Sequence, residues 1–380
     1  MMRRKYIYEH PEWPRLHWRQ ELLADQLAAV GRRQGRLLGR MDALGFDLRR
    51  EAAFGALTEN VVTTSAIEGE SLDVEQVRSS VARRLGMDVA GLPPSDRHVD
   101  GIVELTMDAT ERYNEPLTEE RLFNWHAALF PTGRNITGQI VVGGWRDDRS
   151  GPMEVVSGPI GRERVHFEAP PAERVDREMQ AFLDWFNAPA DTDETLKAAL
   201  AHLWFVTVHP FDDGNGRIAR AVADMALARS EGSPQRFYSM SSQIRRERSA
   251  YYKILEQTQK GTTDVSEWMT WFVACLGRAI DGTEATLAAV LAKARFWERI
   301  AGAPINERQR SVINRLLDDL QGKEFQGRIT TSKWAKMTQC SLDTALRDIT
   351  DLVDRGVLVR SAEGGRSTSY VFIEVQRGDL

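Results

Sequence analysis

The chain of 380 residues has only two cysteines, Cys275 and Cys340, far apart in the sequence. No disulfide framework and no cysteine-based zinc site can be built from them, and the count fits a reducing cytosol. Also missing is any run of about 18 uncharged apolar residues, which argues against a membrane span. Residues 1–8 carry basic side chains with no apolar stretch behind them, so no signal peptide is expected. Neither sign of charge dominates. Fifty Lys and Arg against 55 Asp and Glu leave a net charge of −5, so no global basic field draws the chain to nucleic acid. A DNA contact would need a local patch. Internal repeats and low-complexity segments are absent as well.

What is present is an ordinary globular composition, 42% hydrophobic and 28% charged, with length enough for two or three domains. Residues 18–40 place Leu22, Leu23, Leu27, Val30, Leu37 and Leu38 at helical spacing. A second helix is expected over 48–66, stopped at Glu68-Gly69, because glycine is a natural C-terminal stop. Asp73 followed by Gln76 reads as a capping box that opens a further helix through Val77 and Val81. After a Gly/Pro-containing loop at 86–96, helices are expected at 99–113 and 118–129.

Residues 138–171 change character: Gly143-Gly144, Gly158-Pro159 and Gly161 punctuate two short β-type runs, 153–156 and 165–167. They read as a β-hairpin interrupting a helical domain. Helical periodicity resumes at 172–187, 194–208, 217–230, 246–257 and 265–281. The tail gives an amphipathic helix at 304–320 and a short helix at 331–337. A turn at 338–340, a helix at 341–354 and a hairpin with a turn at Gly364-Gly365 complete it, a winged helix-turn-helix pattern. The fold class is therefore mainly α, with a helical N-terminal region over 1–95, a helical core with one hairpin over 96–283, and a linker helix with a winged module over 284–380.

The run from His209 through Pro210, Phe211, Asp212, Asp213, Gly214, Asn215, Gly216, Arg217, Ile218 and Ala219 to Arg220 carries the chemistry. Two glycines around Asn215 let backbone N–H groups converge on one anion. A helix opens immediately after, and its free N–H groups and dipole favour phosphate. Arg217 and Arg220, three apart, share one face of it. Asp213 offers a hard oxygen suited to Mg²⁺, which needs one or two carboxylates plus phosphates. His209 stands at the rim with a pKa expected near the working pH, fit to take a proton from a hydroxyl. Taken singly, each of these residues has an ordinary loop or packing reading; the joint arrangement points to a nucleoside triphosphate.

This run resembles the signature of the Fic family at His209, Phe211, Asp213, Gly214, Asn215, Gly216, Arg217 and Arg220, without departure. The resemblance implies a protein adenylyltransferase with ATP as substrate, leaving pyrophosphate and placing AMP on a Tyr, Thr or Ser of a target or of the protein itself. It implies His209 as general base, Asp213 on Mg²⁺, and Gly214, Asn215 and Gly216 around the phosphates. Arg217 would take the β-phosphate side and Arg220 the γ-phosphate, with Phe211 anchoring the loop. By position in that family's fold, Arg246, Tyr251, Tyr252 and Leu255 stand where an adenine pocket would form; core packing of the two tyrosines is the alternative. Relatives with altered loops transfer phosphate or phosphocholine, and the intact Gly-Asn-Gly-Arg favours AMP.

Residues 64–69, Thr-Ser-Ala-Ile-Glu-Gly, look like the family's inhibitory motif, with Glu68 expected to pair with Arg220 and misalign the α-phosphate. A solvated helix-end carboxylate is the alternative for Glu68. The same glutamate could align a water and support removal of AMP. Trp13-Pro14, Trp18, residues 35–39 and Leu44-Gly45-Phe46 resemble the small helical domain that precedes Fic in bacterial proteins. The hairpin corresponds to the family's flap, where an exposed edge strand could pair with an extended target segment.

A DNA-binding regulator is the rival from another class. However, 341–355 sets Asp343, Asp348, Asp351 and Asp354 against Arg347 and Arg355, with only Lys333, Lys336 and Arg366 nearby to help. Solvent-facing acidity repels DNA, so protein contact or a homodimer is the better use for this module.

Overall fold

The computed structural model describes residues 5–43, 46–87, 92–135, 138–149, 151–158, 162, 164–189, 192–300, 304–319, 329–361 and 368–373. The expectations for Leu44-Gly45, Pro159, Gly161, Gly364-Gly365 and Arg366 fall outside these residues. Among them no helix is long and apolar enough to cross a membrane. Two compact units form: Met1–Leu44 with Ala53–Val81 and Pro94–Thr283, and Gly45–Ala52 with Ala82–Pro93 and Glu284–Leu380.

Helices dominate. In chain order they are α1 (Ala24–Asp42), α2 (Phe46–Ile67), α3 (Val74–Arg84), α4 (Arg97–Glu111) and α5 (Glu119–Leu129). The strands β1 (Glu154–Ser157) and β2 (Arg164–Glu168) follow, then α6 (Ala172–Asn187), α7 (Glu194–Val208), α8 (Asn215–Glu231), α9 (Met240–Arg246), α10 (Arg248–Gln259) and α11 (Ser266–Arg299). The helix expected over 246–257 is in fact split by Glu247 into α9 and α10, and α11 runs well past the expected end at 281. Asp73 caps α3 by accepting from the N–H groups of Glu75 and Gln76 at 2.8 and 3.4 Å. Only half of the expected capping box forms, because the Gln76 side chain accepts instead from the Asp96 N–H at 2.9 Å.

The first unit is organised around α7. Every side chain from Thr195 to Val208 is buried, as a helix that is apolar on all faces requires. It packs along α8, which is itself buried from Ile218 to Ala228. Between them the chain reverses in six residues, bracketed by two left-handed conformations, His209 (φ 53°) and Gly214 (φ 78°). Beneath the reversal Phe211 is fully buried, stacked on His126 with ring centroids 4.2 Å apart. Burial of such a ring contributes roughly 2–3 kcal/mol, so the loop is fixed from below.

The hairpin is an antiparallel pair, β1 with β2, with a register shift between Val155 and Val156. Phe167 of β2 is buried against Tyr6 and Tyr8, while Arg164 and His166 pair with Glu256 of α10 at 3.0 and 2.8 Å.

The second unit contains α12 (Glu307–Asp319), β3 (Ile329–Thr330), α13 (Thr331–Thr338), α14 (Leu342–Asp354), β4 (Leu358–Arg360) and β5 (Ser369–Phe372). The three strands form one antiparallel sheet in the order β3-β5-β4. Trp334, Ile349, Leu352 and Phe372 are central to its core. The acidity of α14 is placed differently from expectation. Asp348 is buried, held by Arg308 at 2.8 Å and by Asn306 at 3.0 Å, which keeps its carboxyl below the ordinary range against the cost of burial. Asp351 accepts from Gln309 and pairs with Arg355. The face of α14 turned to solvent includes Leu342 and Leu346, 57% and 47% exposed.

Gly101 of α4 marks a close helix crossing: a Cβ there would stand 1.8 Å from the Ala128 carbonyl oxygen of α5. Backbone cannot yield as a side chain does, so Gly101→Ala is expected to destabilise the fold by about 1–3 kcal/mol. Chemical denaturation monitored by circular dichroism measures it.

Candidate active site

The reversal between α7 and α8 delivers the predicted residues to one place. Asn215 locks the turn from within: its Oδ1 accepts from the Phe211 N–H at 3.0 Å and its Nδ2 donates to the Phe211 carbonyl at 2.7 Å. Gly214 is the N-cap of α8, and no side chain caps that end. The N-terminal N–H groups of a helix without such a cap, together with its dipole, suit an anion. Gly214 is also pressed on Leu129 and Phe130; a Cβ would meet them at 3.1 and 3.0 Å.

His209 is half-buried at the end of α7. Its Nδ1 lies 3.2 Å from the Val206 carbonyl, which makes Nδ1 the protonated nitrogen and leaves Nε2 with its lone pair. Arg146 holds the backbone here, donating from Nε to the His209 carbonyl at 2.8 Å and from its N–H to the Pro210 carbonyl at 2.9 Å. The sequence expectation of a pKa near working pH needs correction. Burial pulls it down to about 4, the Val206 hydrogen bond opposes that, and the Arg146 charge adds to it. The imidazole is therefore neutral at neutral pH, the form a proton acceptor needs, and phosphate charge brought nearby would raise its pKa.

Asp213 is held by Asn135, whose Nδ2 donates to Oδ2 at 2.9 Å, and by the Gly214 N–H on Oδ1 at 2.6 Å. Its carboxylate is partly exposed and keeps lone pairs on both oxygens, a donor set that fits one carboxylate ligand of a phosphate-bound Mg²⁺. Among the described residues no group of three or more His, Cys, Asp or Glu is placed to hold a metal alone.

Arg217 and Arg220 lie side by side, their side chains 7% and 3% exposed. Arg220 donates to the Thr64 hydroxyl and carbonyl of α2 at 2.8 and 2.9 Å and pairs with Glu68 at 2.8 Å. The Glu68 carboxylate lies so close over α8 that a Cβ on Gly216 would sit 2.2 Å from its Oε1. Burial opposes the charge on Arg220, but Glu68 with the neighbouring Tyr251 and Tyr252 outweighs it and the pKa is raised. Two buried donors, Arg217 Nε and Arg220 Nη1, have no hydrogen-bond partner among the described residues. Buried guanidinium donors without acceptors are costly, and an anion entering at the start of α8 would satisfy them.

The two tyrosines separate. Tyr251 is fully buried, its hydroxyl 2.9 Å from His202 Nε2, so its ring is core. Tyr252 keeps an exposed face and donates to the Ile67 carbonyl at 3.3 Å. Arg246 pairs with Glu59 at 3.9 Å, and Leu255 is buried.

Sequence reasoning missed four residues that set this geometry: Arg146, Asn135, His126 and Glu70. Glu70 pairs with Arg217 at 3.0 Å and with His98 of α4. A second acidic residue directly after Glu68-Gly69 was the available signal for Glu70; the others come from distant segments with no local pattern.

Residues 116–227 match the family model described as Fic/DOC family, and residues 6–87 match one described as a domain of unknown function, DUF4172. A Drosophila willistoni protein named "Protein adenylyltransferase Fic" is 26% identical over 237 residues, 61% of this chain and 42% of that one. A Nematostella vectensis protein of the same name is 34% identical over 122 residues, 31% of this chain and 26% of that one. The chain thus spans less than half the length of these curated relatives. The crystal structure of a Fic family protein from Desulfovibrio desulfuricans G20 superimposes with a TM-score of 0.52 at 19% identity, covering 92% of this chain and 95% of that one, a likeness of fold.

The depressed histidines make a pH prediction. Burial lowers His209 and His126 to about 4 and His202 to about 3. The unfolded chain, with histidines near 6.5, binds more protons than the folded one as pH falls from about 6.5 to 4. Stability is therefore lost over that window. Thermal melts across it should fall less steeply for His209→Gln than for wild type; equal slopes would exclude a buried neutral His209.

Proposed function

From the premise that this is a Fic family chain, with its Fic/DOC domain at residues 116–227, we propose that it transfers AMP from ATP to a Tyr, Thr or Ser hydroxyl. The acceptor is a target protein or the protein itself. The observation that carries this reading is the pair of buried guanidiniums at the uncapped start of α8. Each has a donor without a partner among the described residues, and each is paired with a glutamate that stands where an anion could bind. The names of the curated relatives support the same chemistry.

In this mechanism the N–H groups of Gly214, Asn215 and Gly216 and the side chains of Arg217 and Arg220 hold the triphosphate. Asp213 would hold a Mg²⁺ with the phosphates, and the ion when bound neutralises phosphate charge. His209 Nε2 takes the proton of the acceptor hydroxyl, whose oxygen attacks the α-phosphorus as pyrophosphate leaves. Arg146 holds the His209 backbone and the Val206 carbonyl holds Nδ1, which leaves Nε2 free to accept. The exposed β1 edge is the place for an extended target segment to pair. Tyr252 is the better placed of the two tyrosines to meet the adenine.

Glu68 is the brake in this reading. It occupies Arg220 and blocks the approach to Gly216, so ATP cannot settle with its α-phosphate aligned. A water aligned by the same carboxylate would give the reverse reaction, removal of AMP. In the same reading α12 to β5 serve as a winged helix used for protein contact or dimer formation, a use supported by the leucines and carboxylates that α14 shows to solvent. A cytosolic location goes with the two unpaired cysteines.

Intact-mass analysis after incubation with ATP and Mg²⁺ tests the reading. Glu68→Gly should form an AMP adduct on itself or an added acceptor about tenfold or more faster than wild type. Adding His209→Ala to it should lower the rate by about 10²–10⁴. No adduct from Glu68→Gly sinks the proposed activity; an adduct that survives loss of His209 sinks its role as base.

A further inference from the structure

The cap that ends α2 carries two carboxylates, and the brake described above uses one. Gly69 is left-handed at φ 86°. The Gly69 N–H donates to the Ala66 carbonyl at 3.2 Å, and the Glu70 N–H to the Ser65 carbonyl at 3.1 Å. This pair of bonds is the Schellman stop, which fixes the direction of the two residues after a helix. Glu68 and Glu70 thus flank a glycine whose conformation is set. Opposite them α8 presents Arg217 and Arg220, three apart on one face. Glu68 takes Arg220 at 2.8 Å and Glu70 takes Arg217 at 3.0 Å.

Glu70 has a further hold. His98 lies with Nδ1 3.1 Å from the Leu129 carbonyl and Nε2 against Glu70, so both ring nitrogens act as donors and the imidazolium form is favoured. Burial raises the Glu70 carboxyl, but the His98 hydrogen bond and Arg217 outweigh it and keep it below its ordinary range. A carboxylate gripped by two cations, one of them a buried arginine, does not leave Arg217 without a competing anion.

We propose that Glu70 is a second phosphate surrogate, which occupies Arg217 and must be displaced, independently of Glu68, before a polyphosphate chain can bind along α8. This rests on the AMP-transfer reading of the site. The two carboxylates then act at different steps. Glu68 lies over Gly216 and governs alignment, whereas Glu70 sits on the second arginine and competes with the ligand for it, a matter of affinity.

Isothermal titration calorimetry with ATP and, separately, with adenosine decides it. Glu70→Gln should bind ATP about tenfold more tightly than wild type, with adenosine, which has no phosphate to compete, unchanged. Glu70→Asp keeps the charge and withdraws it by one methylene; it should move in the same direction, and it decides the matter should the Gln variant not fold. Unchanged or weaker ATP affinity in a variant that melts like wild type overturns the inference, as does an equal gain for adenosine. Binding needs no transfer, so an adduct from Glu68→Gly with no ATP gain in Glu70→Gln would sink this inference alone. Absence of any adduct from Glu68→Gly would sink the activity instead.

Discussion

Two guanidiniums buried at the start of one helix are the constraint on which the rest of this molecule depends. A buried cation is tolerated only when its charge is balanced, and here the balance is supplied by a neighbouring helix end rather than by solvent. Helix α2 is thereby held to α8 through Thr64, Glu68 and Glu70. In the folded state these cations and carboxylates stabilise one another. On the proposed reading, a polyphosphate chain would take the place of those carboxylates on arginines that are already in position.

The loop between α7 and α8 was legible because its chemistry is contiguous. Glycines, arginines, an aspartate and a histidine within twelve residues state their geometry through spacing alone, and the structure brings His209, Asp213, Arg217 and Arg220 together as that spacing requires. Glu68 was legible for a different reason: a helix that stops at a glycine announces where its last carboxylate stands. The hairpin and most helix limits follow from periodicity and from the residues that punctuate it.

What the sequence hid was whatever depends on burial or on distant segments. The working-pH histidine became a strongly depressed one, because desolvation is a property of the packed surroundings and not of the residue. The sequence of 341–355 points to acidity that largely faces solvent, yet Arg308 and Asn306, distant in sequence, draw Asp348 inward. Arg146 and Asn135 carry no local motif, and their partners are set by chain crossings that spacing does not encode. Gln76 illustrates the same limit on a smaller scale: the local rule gave it a backbone partner in its own helix, and tertiary contact supplied Asp96 instead.

The complete enclosure of α7 bears on how the imidazole at its end can behave. A rod surrounded by packed side chains along its whole length cannot slide or roll without opening cavities around it. With the carbonyl of His209 clamped as well, the backbone at that point acts as a fixed axle. The side chain keeps its two torsions, and the Val206 carbonyl restrains the ring through Nδ1. Any rearrangement at this position therefore falls to those torsions and to the segments around α7 rather than to the helix itself.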